Sequence, residues 1–497
     1  MTRHAGLYVE NFLAAAHVRA EPRLAECPLV VLAGTPPTAR VVEANVAARA
    51  TGIVPGLPEA EARARCPALM SRPVSEDRTA GARAALLEAC FTVSPRIEDG
   101  GPGVVFVDIV GLERLIGDDT AVGERLLRQT RAVGLPATVG ITDSRSAARI
   151  IARVSPRLTV VRSGEDRSSL AAVPIGALGL EAEVARVLAR WGIRTVGDLA
   201  ALPRGGLAIR LGAAGLAAHD QALGIDREPF RAWTPPPFWE EAQGIEWEIE
   251  TWAGLAPVLE AVLSRLVGRL SAAHRAADGL AIDLALATGG RDERFVAFAH
   301  PFTDLRAMLA LVELDIAARP PSAAVVRVVV RARAVPPAPG QSGLWHRPVP
   351  NGRDLSTTLA RLAALVGPEH VGSPVALDSH RPDAISLEPF VPPPREPDAA
   401  RTSGRVDALV APLAFRRLRP PREVAVETER DEPVRLTLAH APERIVARVG
   451  PWRTSGEWWD TRVFARDEWD VALADGMVCR LAHDRLTNRW YLDGAYD

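Results

Sequence analysis

The stretch GLYVENFLAAAHVRAEPRLAECPLVVL (Gly6 to Leu32) decides how the rest of the chain is read. An apolar run, then Phe12 and a chain of alanines, then a charged turn and a second apolar run has the order strand, helix, turn, strand. A catalytic chain often places an acid where such a first strand hands over to its helix. Tyr8 stands there, so any acid chemistry has to be sought elsewhere.

Working outward, small helices are expected around VVEANVAARATGIVPGLPEAEARARCP, then a helix from about Thr79 and a strong strand VVFVDIV (Val104 to Val110). A helix after Asp119, the strand ATVGIT (Ala137 to Thr142) and the helix SRSAARIIARV follow, giving an α/β (α+β) layer. From Pro174 to Phe230 the text is helical and punctuated by glycine, with a short turn at Leu178, Gly179 and Leu180. WTPPPF (Trp233 to Phe238) reads as a stiff linker, because proline removes a donor and fixes φ. After it come IEWEIE, a long amphipathic helix, LAIDLALAT, RFVAFAHPF, a helix from Leu305 and VVRVVVRAR, in the order β-α-β-β-α-β. In IEWEIE, alternation points Ile245, Trp247 and Ile249 inward. In VVRVVVRAR it points Arg327, Val329, Arg331 and Arg333 outward, where acids of the neighbouring strand can pair with them. A proline- and glycine-rich tether follows, and short alternating runs from VRLTLAH to RWYLDGAY read as a small β domain.

Composition bounds the function classes. The chain has 497 residues, 47% hydrophobic and 24% charged, long enough for several domains because single cores stop growing near about 250–300 residues. The absence of a long apolar run or of a basic-then-apolar N-terminus makes a cytoplasmic protein the expectation. Cys27, Cys66, Cys90 and Cys479 stand far apart with no C-x-x-C, which argues against zinc or a disulfide framework and for buried thiols. Formal charge is −2, so no global basic field marks a nucleic-acid protein. Every Lys or Arg position is arginine, which makes arginine counts uninformative, whereas the tryptophans after Trp452 suggest an interface.

In its order of parts the chain resembles the Y-family translesion DNA polymerases over roughly residues 1–333. The motifs that carry this are FLAAAHVR with PRLAECPLVVL, VVEANVAARATGIVPGLPEAEARARCP, GPGVVFVDIVG and GITDSRSAARIIARVSP. The resemblance implies a palm (1–20 and 73–165), fingers (21–72), a helix-hairpin-helix thumb (166–232), a linker (233–243), a βαββαβ little finger (244–335), a tether (336–350) and a C-terminal partner-binding region (351–497). It places the family's metal-binding acids at Tyr8, Gly103 and Val104, none of which ligates magnesium; Glu10 and Asp108 remain nearby in sequence. The fingers' triphosphate tyrosine falls on Val46, its arginine partner on Arg49 and the steric-gate aromatic on Leu13.

Two readings follow. A diverged but active polymerase would recruit Glu10 and Asp108 for metal-dependent nucleotidyl transfer, yet Asp108 lies about 13–17 Å of extended chain beyond the lost pair. The favoured reading is a non-catalytic polymerase fold, with no cofactor and no metal, acting as an adaptor in damage-induced mutagenesis. The resemblance then implies as partners the sliding clamp (β), an error-prone replicative-type polymerase of the ImuC class, the RecA-like protein ImuA, and weakly held DNA. QSGLW looks like a clamp-binding pentapeptide in which Gln341, Leu344 and Trp345 make the contacts; the plain alternative is a loop. Gly179 and Leu180 could hold DNA phosphates through backbone N–H groups, or the hairpin could be a packed subdomain. GGLAIRLGAAG reads as helix turns of the thumb, and His17 as a packed or solvated histidine.

Overall fold

The computed structural model describes residues 2–337, scattered residues between 355 and 388, and most of 414–496. The chain forms two compact units, Met1–Leu365 and Val366–Asp497. QSGLW (341–345) lies outside the described residues.

In chain order the first unit runs β1 (His4–Tyr8), α1 (Phe12–Ala20), β2 (Leu29–Ala33), β3 (Arg40–Ala44), α2 (Val46–Ala50), α3 (Glu59–Arg65), β4 (Met70–Pro73) and α4 (Glu76–Phe91). It continues with β5 (Ile97–Asp99), β6 (Val104–Asp108), α5 (Asp119–Ala132), β7 (Thr138–Thr142), α6 (Arg145–Val154) and β8 (Leu158–Val160). The palm sheet has the order β5-β6-β1-β7-β8, with β1 central and antiparallel to both neighbours. Alternation along β1 sends Ala5 and Leu7 into the main apolar core with residues of α4 and α5. It sends Gly6 to the other face, against α6. There the helix backbone comes so close that a Cβ on Gly6 would meet the Ala148 carbonyl carbon at 2.7 Å, and one on Gly140 of β7 would meet the Ala148 oxygen at 2.6 Å.

The fingers are a second sheet, β3-β2-β4. RVVEA is a strand here, where small helices were expected: Val41 and Ala44 bury into the finger core, and helix begins only after Asn45. That asparagine accepts from the Ala48 N–H as the N-cap of α2, and from the Leu29 N–H of β2, so one side chain starts the helix and ties it to the sheet.

The thumb comprises α7 (Asp166–Ala171), a 3₁₀ turn at Ile175–Leu178, α8 (Ala182–Arg190), α9 (Val196–Ala200) and α10 (Arg204–Ala222). GGLAIRLGAAG lies within α10, as expected, with a break at Gly212 (φ 60°). The helical text stops at Ala222, short of Phe230.

The little finger is β9 (Trp239–Ile249), α11 (Trp252–Ala272), β10 (Ala276–Leu286), β11 (Arg291–Phe302), α12 (Leu305–Ala318) and β12 (Val325–Val335), the β-α-β-β-α-β order read from the sequence. Its sheet order is β11-β10-β12-β9. Three details differ from expectation. First, β9 starts at Trp239, inside the span read as linker. Second, its register against β12 slips, Val325 facing Ile249 but Arg327 facing Gly244, so residues 245–248 bulge. The bulge leaves Trp247 68% exposed, where alternation had pointed it inward. Acid and arginine do pair across the two strands, through Arg331 and Glu240 at 2.5 Å, upstream of IEWEIE. Val329, expected to face outward, is buried between its register partners Asp283 and Ala242.

The second unit contains a hairpin, β13 (Ser373–Ala376) and β14 (Ile385–Glu388), and a closed six-stranded barrel. The barrel strands are β15 (Phe415–Glu429), β16 (Glu432–Leu438), β17 (Ala441–Gly456), β18 (Phe464–Leu473), β19 (Val478–Asp484) and β20 (Arg489–Tyr496). All four cysteines are free, with Cys66, Cys90 and Cys479 buried. Among the described residues no helix is long and apolar enough to cross a membrane.

The contact of α6 with β1 and β7 tests the palm directly. Gly140→Ala should destabilise the protein by about 2 kcal/mol or more, because its methyl meets backbone that cannot step aside. Chemical denaturation of wild type and variant, compared with Gly205→Ala, whose Cβ meets nothing within 4 Å, measures it.

Candidate functional site

The three positions assigned to metal-binding acids meet at one end of the central palm strands. Tyr8 closes β1 and is the register partner of Val104 at the start of β6. Gly103 lies one residue before that strand, and its carbonyl accepts from the Val9 N–H at 2.8 Å. Gly103 has φ 71°, a conformation that favours glycine. A Cβ there would meet the Val9 oxygen at 2.9 Å and the Phe12 Cβ at 3.0 Å.

Tyr8 shares the face of β1 that carries Gly6, so its ring points to the α6 side of the sheet. The Arg153 guanidinium of α6 lies over that ring, 5.2 Å from its centroid. Burial pushes the Tyr8 phenol up, and the Arg153 cation pulls the other way. Arg153 also donates to the Ala177 carbonyl at 3.1 Å and packs against Gly179. Four residues earlier on the same helix face, Arg149 donates to Gln221 of the thumb helix α10 at 2.8 Å. The sequence reading singled out neither arginine; the signal available was their i, i+4 spacing on a helix whose apolar face is buried.

Of the remaining acids, Glu10 and Glu43 lie near enough to Tyr8 to push its phenol up, and Asp108 does not. Asp108 sits at the opposite end of the β1–β6 ladder, paired with His4, and its carboxylate accepts from the Val110 N–H and meets Arg96 at 3.1 Å. Glu10 is half-exposed and ion-paired with Arg49, which also reaches Asn11. The arginine assigned to a triphosphate is thus engaged by a local carboxylate. Val46 is 66% exposed at the start of α2, and Leu13 packs beside the small core of Ala14, Leu24, Leu29 and Val31. Glu43 of β3 accepts from the Ala14 N–H at 3.0 Å, capping α1 from outside, and burial pushes its carboxyl up. Among the described residues, no three His, Cys, Asp or Glu side chains are grouped so as to hold a metal ion.

His17 is a packed histidine. Burial and the adjacent Arg78 cation lower it to about 4, so it is neutral at physiological pH. At the thumb hairpin Gly179 is left-handed (φ 65°) and its own N–H is donated to the Gly176 carbonyl.

Residues 7–153 match the model of the impB/mucB/samB family. The "DNA polymerase IV" of Dehalococcoides mccartyi is 30% identical over 277 residues, covering 54% of this chain and 68% of that protein. The chain belongs to this Y family. Across more of its length it is similar to "Protein ImuB" of Caulobacter vibrioides, 29% identical over 418 residues, or 82% of this chain and 89% of that one. Among solved structures, DinB from Sulfolobus solfataricus is 18% identical with a TM-score of 0.40, covering 68% of this chain and all of that one. This chain is therefore a Y-family, polymerase-like protein that continues into a β-rich C-terminal unit.

The Gly103 turn generates a stability prediction. Gly103→Asp should cost about 2 kcal/mol or more, since a side chain is strained at this φ and its Cβ faces the Val9 carbonyl. Tyr8→Asp should cost less, because an aspartate there meets Arg153 and can pair with it. Denaturation midpoints of the two single variants decide the order.

Proposed function

We propose that this chain is a non-catalytic Y-family adaptor that links the sliding clamp to an error-prone polymerase of the ImuC class and to ImuA in damage-induced mutagenesis and translesion synthesis. The observation that carries the non-catalytic part is the Arg153 guanidinium over Tyr8. A two-metal nucleotidyl transfer needs anionic ligands that draw dications to the primer end. Here the corresponding strand ends offer a phenol, a glycine carbonyl already bonded and a valine, with a fixed cation beside them. The largest charge effect on Tyr8 is that of Arg153, ahead of Glu10 and Glu43, and it disfavours a second cation there.

The similarity to Protein ImuB supports the adaptor role. Clamp attachment rests on QSGLW, where Leu344 and Trp345 are adjacent apolar anchors and Gln341 a polar rim contact. DNA binding is weak and salt-sensitive on this reading, because the arginines on the outer face of the little-finger sheet carry acids of their own: Arg327 with Asp77, Arg331 with Glu240, Arg333 with Asp278. Gly179 and Leu180 are proposed to add a phosphate contact through the hairpin, with Leu180 supplying the N–H, since that of Gly179 is used internally.

Primer extension with magnesium or manganese should give no template-dependent product. Product that disappears in Glu10→Ala would establish the polymerase reading instead. Separately, Leu344→Ala with Trp345→Ala should weaken clamp binding by roughly thirtyfold or more, about 2 kcal/mol, with the thermal midpoint unchanged. Undiminished clamp affinity in that double variant would make QSGLW a loop.

A further inference from the structure

Five charged side chains meet where the little finger lies on the palm, and all of them are buried. Glu241 of β9 is the centre. Its carboxylate contacts Arg19 of α1 at 2.6 Å, Arg269 of α11 at 2.9 Å and Arg265 of α11 at 3.1 Å. Arg269 turns its other edge to Glu88 of α4, with Nη2 at 2.5 Å and Nε at 2.8 Å from the two carboxylate oxygens. Side-chain exposure is 1% for Arg269, 2% for Glu241, 4% for Glu88, 5% for Arg19 and 7% for Arg265. Arg19 and Glu88 belong to the palm, while Glu241, Arg265 and Arg269 belong to the little finger. Burial pushes the Glu241 carboxyl up, but Arg19, Arg269 and Arg265 outweigh it and hold it at about 2.

The surroundings are shaped to this arrangement. Arg19 donates Nε to the Val133 carbonyl, and Arg269 donates to the Glu240 carbonyl while lying over the Trp239 ring. Gly81 of α4 leaves the space Glu241 occupies, since a Cβ there would meet its Oε2 at 2.8 Å. The approach to the little finger is pinned as well. The Trp233 N–H donates to the Ile97 carbonyl, the Phe230 ring stacks on His4, and Asp226 accepts from the Arg145 and Ser146 N–H groups at the start of α6.

We propose that this ionic knot holds the little finger on the palm in one fixed placement, so that palm and little finger behave as a single rigid body. Paired buried charges add little to the free energy of association, because separated charges regain their hydration. What they impose is geometry: any other docking leaves a buried charge without its partner. The bidentate Arg269–Glu88 contact and the contacts of Arg19, Arg265 and Arg269 to Glu241 form together in one register only, though Arg265 keeps its Nη1 buried without a partner. This fixed placement is independent of whether the chain polymerises.

The test is a distance distribution in the full-length protein. Spin labels go on Leu115→Cys in the palm and Phe295→Cys in the little finger, both well exposed, with Cys27→Ser removing the half-buried thiol. Wild type should give one narrow distance that is the same from about 0.1 M to about 1 M salt, because buried pairs are screened little. Glu241→Gln should broaden it. So should Gly81→Ala, which changes no charge and suits a helix better than glycine, so that the palm itself stays folded. A broad or salt-dependent wild-type distribution would overturn the proposal, as would distributions in both variants as narrow as wild type.

Discussion

How closely α6 can approach the palm sheet governs the α6 face of the first unit. Gly6 and Gly140, each lacking a Cβ, let the Ala148 backbone rest directly on β1 and β7. At that distance the arginines of α6 reach the parts around it. Arg145 takes hold of Glu98 and the Glu228 carbonyl, Arg149 of Gln221 in the thumb, and Arg153 of the Tyr8 ring and the Ala177 carbonyl. One helix therefore positions the thumb, the segment leading to the little finger and the floor of the candidate site. A bulkier residue at either glycine would lift all three together.

What the sequence disclosed follows from where one physical signal dominated. Strands β1, β6 and β7 were readable because short runs rich in apolar residues were bounded by turn residues, and the little finger because its helix stripe is strong. Leu259, Val262, Leu263, Leu266 and Leu270 are all buried. Signals in conflict hid the rest. The barrel strand β15 carries Pro420 and Pro421, which interrupt its alternation, and its ladder with β20 breaks between Arg417 and Arg422. The alanine-rich VVEANVAARA looked helical throughout, yet its first half completes the finger sheet. The bulge at 245–248 reversed Trp247 because register is a property of two strands and only one was in view. At the candidate site the sequence reading assigned Tyr8, Gly103 and Val104 to the acid positions. It could not show Arg153 above Tyr8 or the left-handed turn at Gly103, since both depend on packing between distant elements. The ionic knot was least legible of all, because charged residues read as solvent-facing until their partners, here up to 222 residues apart, are brought together.

Arginine content proves to be a poor guide to field. The chain has 59 Lys or Arg against 61 Asp or Glu, and the planar fork of arginine suits it to bidentate pairing with carboxylates. Arg327 grips Asp77 in this way and, in the barrel, Arg453 grips Asp467, while Arg333 and Arg417 each direct two N–H groups at one oxygen of Asp278 and of Asp493. Charge neutralised within a few ångströms contributes little to attraction at the range of a Debye length, about 8–10 Å at ordinary salt. A face rich in arginine can therefore be electrostatically quiet.

The assigned positions around Tyr8 are held by different physics, and this bears on how far any one of them can change alone. Tyr8 is kept by its stacking with Arg153; an aspartate put there would find that guanidinium as its nearest counter-charge and pair with it before any dication. Gly103 is kept by its backbone, because the left-handed turn and the Val9 N–H bond to its carbonyl fix a conformation that side chains resist. Arg49 is kept by Glu10 and Asn11, so freeing it for a phosphate would leave a carboxylate unpaired beside the same phosphate. Relieving one of these constraints leaves the others standing, and the turn at Gly103 cannot relax without moving the end of β1 that carries Tyr8. The arrangement is a coupled set, and for that reason the identity of a single residue says less about the chemistry of this palm than the contacts among Tyr8, Arg153, Gly103 and Arg49 taken together.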